Sequence, residues 1–170
     1  MNKRWEILPI DEKKQILLEK NLHISSSLAE ILTRKNLDEN SAKLFLNPTK
    51  IPYHDPFLLK DMEKACQRLL LALKNKEKIC IYGDYDVDGV SSTALLMTVF
   101  TKLGFNIDYY LPDRHSEGYG LHIESLQKFI PKYDLLITVD CGITALDEVD
   151  YAKDKIDMII TDHHLPREII

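Results

Sequence analysis

The chain has 170 residues, 45% of them hydrophobic and 29% charged, which suits one core of ordinary size with a short extension and argues against two full domains. No apolar run approaches the ~18 residues that cross a bilayer, and the opening MNKRWEILPIDEKK lacks the apolar stretch of a secretory signal, so a cytoplasmic protein is expected. The net charge of −5 argues against a broad phosphate-binding face, although bound divalent cations would reverse the local potential wherever the acids cluster.

From about Pro9 to Lys74 the pattern is helical. Ile16, Leu17 and Leu18 lie in a charged segment, and Leu28, Ile31 and Leu32 follow Ser25, Ser26 and Ser27, which can cap a helix. Asp38 to Leu46 reads as a further short helix that stops at Asn47-Pro48, and Pro48, Pro52 and Pro56 punctuate a turn-rich connection. A longer helix is expected over Met62 to Lys74, with Leu69, Leu70 and Leu73 on its apolar side and Asp61 as its cap.

After Lys78 short apolar runs alternate with helical segments: strand Ile79 to Tyr82, helix Ser91 to Leu103, strand Ile107 to Leu111, helix Ile123 to Ile130, strand Leu135 to Val139, helix Thr144 to Lys155 and strand Met158 to Ile160. Such alternation marks βαβ units around a parallel sheet covered on both faces, so a doubly wound α/β domain is expected. In that architecture ligands bind beyond the carboxyl ends of the strands, where the strand order reverses.

The unusual residues fall at those ends. The first strand runs into Asp84, Asp86 and Asp88, the third into Asp140, and the fourth into Asp162, His163 and His164. Parallel strands bring these ends to one edge, where crowded carboxylates repel one another unless a cation neutralises them. DYDVDG also matches the start of an EF-hand loop, but the twelfth position is Leu95 where a bidentate Glu is required, and a strand precedes it. Mixed Asp and His ligands suit Mn²⁺, Fe²⁺ or Zn²⁺, and carboxylates with water also admit Mg²⁺. So many ligands favour two ions, a pairing that hydrolyses phosphoesters. Cys66, Cys80 and Cys141 show no CxxC spacing, which argues against a disulfide framework or zinc knuckle.

The segment LPDRHSEGYGL, Leu111 to Leu121, lies at the same edge. Arg114 suits a phosphate through its planar guanidinium. Gly118 and Gly120 bracket Tyr119, whose ring can stack on a base, and His115 is a ligand, a substrate contact or simply a solvated residue. Gly89, Ser91 and Ser92 open the helix after the first strand, where amides can hold an anion or the serines can cap. Gly142 lets the backbone turn after Asp140.

The motifs GDYDVDG, PDRHSEGYGL, VDCG and TDHH, in this order, resemble the DHH phosphoesterase superfamily, and with the leader ILTRKNLDENSAKLFLNP they are similar to its RecJ branch. Other branches carry His and Asn where this chain has Tyr82 and Asp84. The resemblance implies 5′-to-3′ hydrolysis of single-stranded DNA with Mn²⁺ or Mg²⁺, two ions being expected, in recombination and repair. It implies Asp84, Asp86, Asp88, Asp140 and His163 as metal ligands, with Asp162 and His164 also at the metals. Asp86, Asp140, His163 and His164 are then the catalytic set, and Arg114, His115, Tyr119, Gly120 and Ser91 meet the substrate. It implies a helical extension over residues 1–60 and the first part of the catalytic domain over 61–170. RecJ proteins continue past the DHH triplet with a further metal-binding Asp and more domains, so this chain alone is expected to be inactive or badly impaired. Two other readings stay open: a phosphodiesterase of short oligonucleotides or nucleotide second messengers, and a non-catalytic protein that binds DNA or replication partners.

Overall fold

The structure is a computed structural model and describes Glu6 and residues 9–166. It comprises two compact units, Met1–Pro56 and Phe57–Ile170. Among the described residues no helix is long and apolar enough to cross a membrane.

The first unit holds α1 (Glu12–Leu22), α2 (Ser26–Arg34) and α3 (Glu39–Leu46). Each is capped by a side chain that accepts a first-turn amide: Asp11 from Lys14, Ser25 from Leu28 and Asp38 from Ser41. Of the three serines expected to cap, Ser25 does so, and Ser26 begins the helix. The core is small, with Leu18 from α1, Ala29 and Leu32 from α2, and Ala42 from α3 fully enclosed. Ile16 and Leu17, beside Leu18 in the sequence, stay exposed because helical spacing turns them from that seam.

The second unit contains α4 (Met62–Asn75), β1 (Lys78–Gly83), α5 (Val87–Leu103), β2 (Asn106–Tyr110), α6 (Ile123–Phe129), β3 (Leu135–Val139), α7 (Leu146–Ala152) and β4 (Asp157–Thr161). The strands form one sheet in the order β2-β1-β3-β4, and every neighbouring pair is parallel. The expected α/β doubly wound sheet is therefore present. Ile79, Ile81, Leu135, Ile137 and Val139 face one cluster with Ala72 of α4 and Phe100 of α5. Cys80, Tyr82 and Leu136 face the other with Leu126 and Phe129 of α6 and Ala152 of α7. Alternate residues of β1 and β3 thus enter opposite cores, which is why both strands read as unbroken apolar runs.

Most elements lie within one residue of expectation, but two helices and one cap differ further. α5 starts at Val87 rather than Ser91, because Asp86 caps it and VDG opens its first turn. α7 spans only Leu146–Ala152, short of Thr144 to Lys155: Ala145 donates back to Gly142 in a turn before it, and Asp154 at φ 61° lies beyond its end. Asp61 precedes α4 in a left-handed conformation without capping it, and its carboxylate pairs with Lys64 at 2.8 Å.

The two ends of the sheet differ in chemistry. At the amino end, acids are neutralised: Arg68 of α4 pairs with Glu77 at 2.7 Å and Asp157 at 2.6 Å, and the Lys78 amide donates to Asp134. At the carboxyl end, the chain passes from β1 to β2 on one side and then to β3 on the other. The strand order reverses there, so a crevice opens between the ends of β1 and β3.

Candidate metal centre

Asp84 follows β1 directly and is 2% exposed. It is forced in by the close approach of α5 to the strand end: a Cβ on Gly89 would collide with the Asp84 backbone, and one on Gly83 with Thr93 Oγ1. Asp86 caps α5, its Oδ1 accepting from the amides of Asp88 at 2.9 Å and Gly89 at 3.1 Å. The Gly89 amide, foremost, holds the Asp86 carboxyl below its usual range, so it is charged at neutral pH.

Asp140 follows β3 and has φ 62°, a left-handed conformation uncommon outside glycine. Its amide donates to Thr161 O at 3.0 Å, extending the β3–β4 ladder by one bond. Gly142 then turns at φ 108°, where a Cβ would press on Thr138 Oγ1 at 3.0 Å. Burial, and next the charge of Asp86, pushes the Asp140 carboxyl up.

Oxygens of Asp84, Asp86 and Asp140 lie within 4.8 Å of one another, and so do ligand atoms of Asp140, His163 and His164. Asp140 belongs to both groups. His163 Nε2 approaches Asp140 Oδ1 to 2.9 Å. That oxygen and Asp84 Oδ1 are buried and lack an aligned hydrogen-bond donor among the described residues. Buried carboxylate oxygens without donors are costly, and a cation between them removes the cost. The donor set, hard oxygens with imidazole nitrogen, fits Mn²⁺ or Mg²⁺ on that ground.

Asp162 stands outside both groups, and its oxygens meet protein donors instead. Oδ2 accepts from the Ile143 amide at 3.0 Å, and Oδ1 meets the His164 amide at 3.1 Å and His164 Nδ1 at 2.7 Å. Burial opposes the Asp162 charge, but these hydrogen bonds outweigh it and lower its pKa. A charged carboxylate only accepts, so Nδ1 carries the proton and Nε2 is left as the free ligand atom. The same bond to Asp162 raises the His164 pKa. Asp88 also lies outside both groups, exposed in the first turn of α5.

Of the expected substrate contacts, Tyr119 touches a residue of the centre: its hydroxyl is 3.2 Å from His164 Nδ1, and the two rings meet edge to face. Arg114 lies over the Tyr85 ring, 5.4 Å from its centroid, and makes no ion pair with a described residue. His115 is exposed, and its amide donates to Asp113 Oδ1. Gly120, at φ 90°, offers its carbonyl to the Tyr82 hydroxyl at 2.8 Å. The Ser91 hydroxyl turns back onto Asp88 O within its own helix at 3.2 Å. Sequence reasoning missed the support beneath this loop, namely Tyr82, Tyr110 and Glu117. The alternation of β1 and β2 was the available signal, since it places both tyrosines on one face.

A family model described as the DHH family, N-terminal domain, matches residues 78–170. The chain is 42% identical over 166 residues to the single-stranded-DNA-specific exonuclease RecJ of Bacillus subtilis, covering 96% of this chain and 21% of that protein. It is 40% identical over 143 residues to the same-named protein of Haemophilus influenzae, covering 82% and 23%. The chain thus spans about a fifth of the length of these curated relatives. Among solved structures it is similar to an exonuclease RecJ bound to manganese, with TM-score 0.63 and 36% identity over 69% of this chain and 30% of that one. It also resembles RecJ from Thermus thermophilus in complex with Mn²⁺, with TM-score 0.66 and 27% identity over 97% and 23%.

Proposed function

Because the chain belongs to the DHH family, we propose that it carries the metal-binding part of a 5′-to-3′ exonuclease that hydrolyses phosphodiester bonds of single-stranded DNA. One observation supports this above all: three carboxylates from two strand ends converge within 4.8 Å, with buried oxygens that lack an aligned donor among the described residues. Mn²⁺ or Mg²⁺ fits this donor set, and two ions would be held, one by Asp84, Asp86 and Asp140, the other by Asp140, His163 and His164. Such cations supply a hydroxide nucleophile at neutral pH and neutralise charge gathering on the phosphate.

The chain's own residues do the rest. Asp86, fixed by two amides of α5, keeps its second oxygen for the site. Asp162 holds the Nδ1 side of His164, which would leave Nε2 for an ion or for the attacked phosphate. Asp88, outside both groups here, adds negative charge at the mouth of the site. Arg114, backed by Tyr85, offers N–H groups to a backbone phosphate. Residues 1–60 are an extension and 61–170 the first part of the catalytic domain. The setting is cytoplasmic recombination and repair, with single-stranded DNA and other repair proteins as partners.

The test is release of nucleotides from 5′-labelled single-stranded DNA in Mn²⁺, run with the unsubstituted chain and Asp140→Ala. Slow release that the substitution and a chelator both abolish is expected. Release that survives Asp140→Ala would contradict the assignment, and preference for dinucleotides over long strands would favour the short-oligonucleotide reading.

A further inference from the structure

The loop between β2 and α6 is tied down at two points by tyrosines of the sheet. Tyr82 of β1 donates its hydroxyl to Gly120 O at 2.8 Å, and Tyr110 of β2 donates to the Glu117 carboxylate, 2.7 Å from either oxygen. The two tyrosines are register partners, their rings stack with centroids 5.7 Å apart, and Phe129 packs edge-on against both. Neither hydroxyl can swing away without breaking that stack.

Glu117 gathers more than the tyrosine. Its Oε1 accepts from the Asp113 amide at 3.2 Å and its Oε2 from Ser125 Oγ of α6 at 3.3 Å, while its own amide donates to Asp113 O at 2.9 Å. Asp113 in turn accepts from the amides of His115 and Ser116 and from the Ser116 hydroxyl. The turn 113–117 is therefore closed on itself and fastened to both a strand and a helix. Arg114 and His115 are left exposed between its two ends, and Arg114 crosses to the β1 side to lie over Tyr85.

We propose that Glu117 is a positioning residue for Arg114: by binding Tyr110, Ser125 and the Asp113 amide it fixes the turn, so that the guanidinium is held over Tyr85 and its N–H groups meet a phosphate of single-stranded DNA. The inference rests on the phosphodiester reading above, takes from it the phosphate contact of Arg114, and adds the alignment of that arginine by Glu117. A flexible arginine would lose rotamer entropy at each encounter with a phosphate, whereas a pre-set one has already lost it. Gln at position 117 keeps an acceptor for Tyr110 but loses one of the two oxygens, so it restores part of the effect.

The experiment uses the whole chain with a fluorescent oligothymidylate in chelator, reading anisotropy for Arg114→Ala, Glu117→Ala, Glu117→Gln and the double alanine variant, alongside ¹⁵N relaxation of the amides of residues 114–116. Arg114→Ala and Glu117→Ala should each weaken binding about tenfold, the double variant should be no weaker than Arg114→Ala, and Glu117→Gln should fall between. Amides 114–116 should gain motion in Glu117→Ala while those of β1 and α5 do not change. Additive losses, or a turn as rigid in Glu117→Ala as before, would overturn the proposal. A chain that binds no oligothymidylate would instead overturn the DNA reading, and with it the phosphate clause. Loosening of the turn in Glu117→Ala would then still support the link between Glu117 and Arg114.

Discussion

His163 Nε2 lies 2.9 Å from Asp140 Oδ1, joining the residues that follow two neighbouring strands. Register brings them together: Val139 of β3 is the partner of Thr161 of β4, so each strand delivers its next residues to the same place. Asp140 is thereby shared by the acidic group and the histidine group, and its substitution disturbs both at once.

Without metal, the buried Asp140 carboxyl lies beside Asp86 and has a pKa above its usual value, which means its charge is unwelcome there. Asp140→Asn should therefore melt no lower than the unsubstituted chain in chelator, since Asn also tolerates φ 62°. Mn²⁺ at a hundredfold its dissociation constant should stabilise the unsubstituted chain by about 2.7 kcal/mol and leave Asp140→Asn unmoved. Melting curves of both proteins, with and without Mn²⁺, check this.

Gly89→Ala should cost about 1–3 kcal/mol or more, because the new methyl meets the Asp84 backbone, which cannot step aside without displacing β1. Denaturant unfolding measures the loss. Mn²⁺ affinity should fall in the same variant, since Asp84 moves with its backbone.

The Glu117 carboxyl lies below its ordinary value of 4.5, chiefly through the Tyr110 hydroxyl. A depressed carboxyl contributes stability that is fully present above its unfolded pKa and is lost as pH falls through the folded one. The advantage of the unsubstituted chain over Glu117→Gln should thus be constant from neutral pH to about 5. It should shrink as pH drops below 4.5. Melting temperatures of the two proteins, followed from neutral pH down to about 3.5, check it.

Arg68→Ala tests the opposite end of the sheet. It leaves Glu77, whose side chain is 17% exposed, beside Asp157 with no counter-charge. A loss of about 2 kcal/mol in denaturant unfolding is expected, with Mn²⁺ affinity unchanged because the strand ends on the site side do not move.

Much of this was legible in the chain. Leu135 to Val139 reads as a strand of the same bounds because a strand buried on both faces needs an apolar side chain at every position, or one as small as Thr138. The convergence of Asp84, Asp86, Asp140, His163 and His164 follows from parallel strands ending on one edge. What local sequence does not show is how each acid is used. Asp86 and Asp88 look alike, yet the first caps α5 and joins the acidic group, while the second lies in the first turn of that helix and joins neither group. In Asp162-His163-His164, three neighbouring side chains look equally suited to a metal. Only the fold places the Ile143 amide on Asp162 and turns it into the partner of His164. The left-handed backbone at Asp140 is likewise set by the ladder bond to Thr161 and the turn at Gly142, neither of which a short window reveals.

The most direct test of the central claim is anomalous scattering at the manganese edge from crystals of the chain grown with Mn²⁺. A peak is expected among the carboxylates of Asp84, Asp86 and Asp140, with a second beside Asp140, His163 and His164. Manganese bound elsewhere, with those carboxylates empty at saturating Mn²⁺, would contradict it.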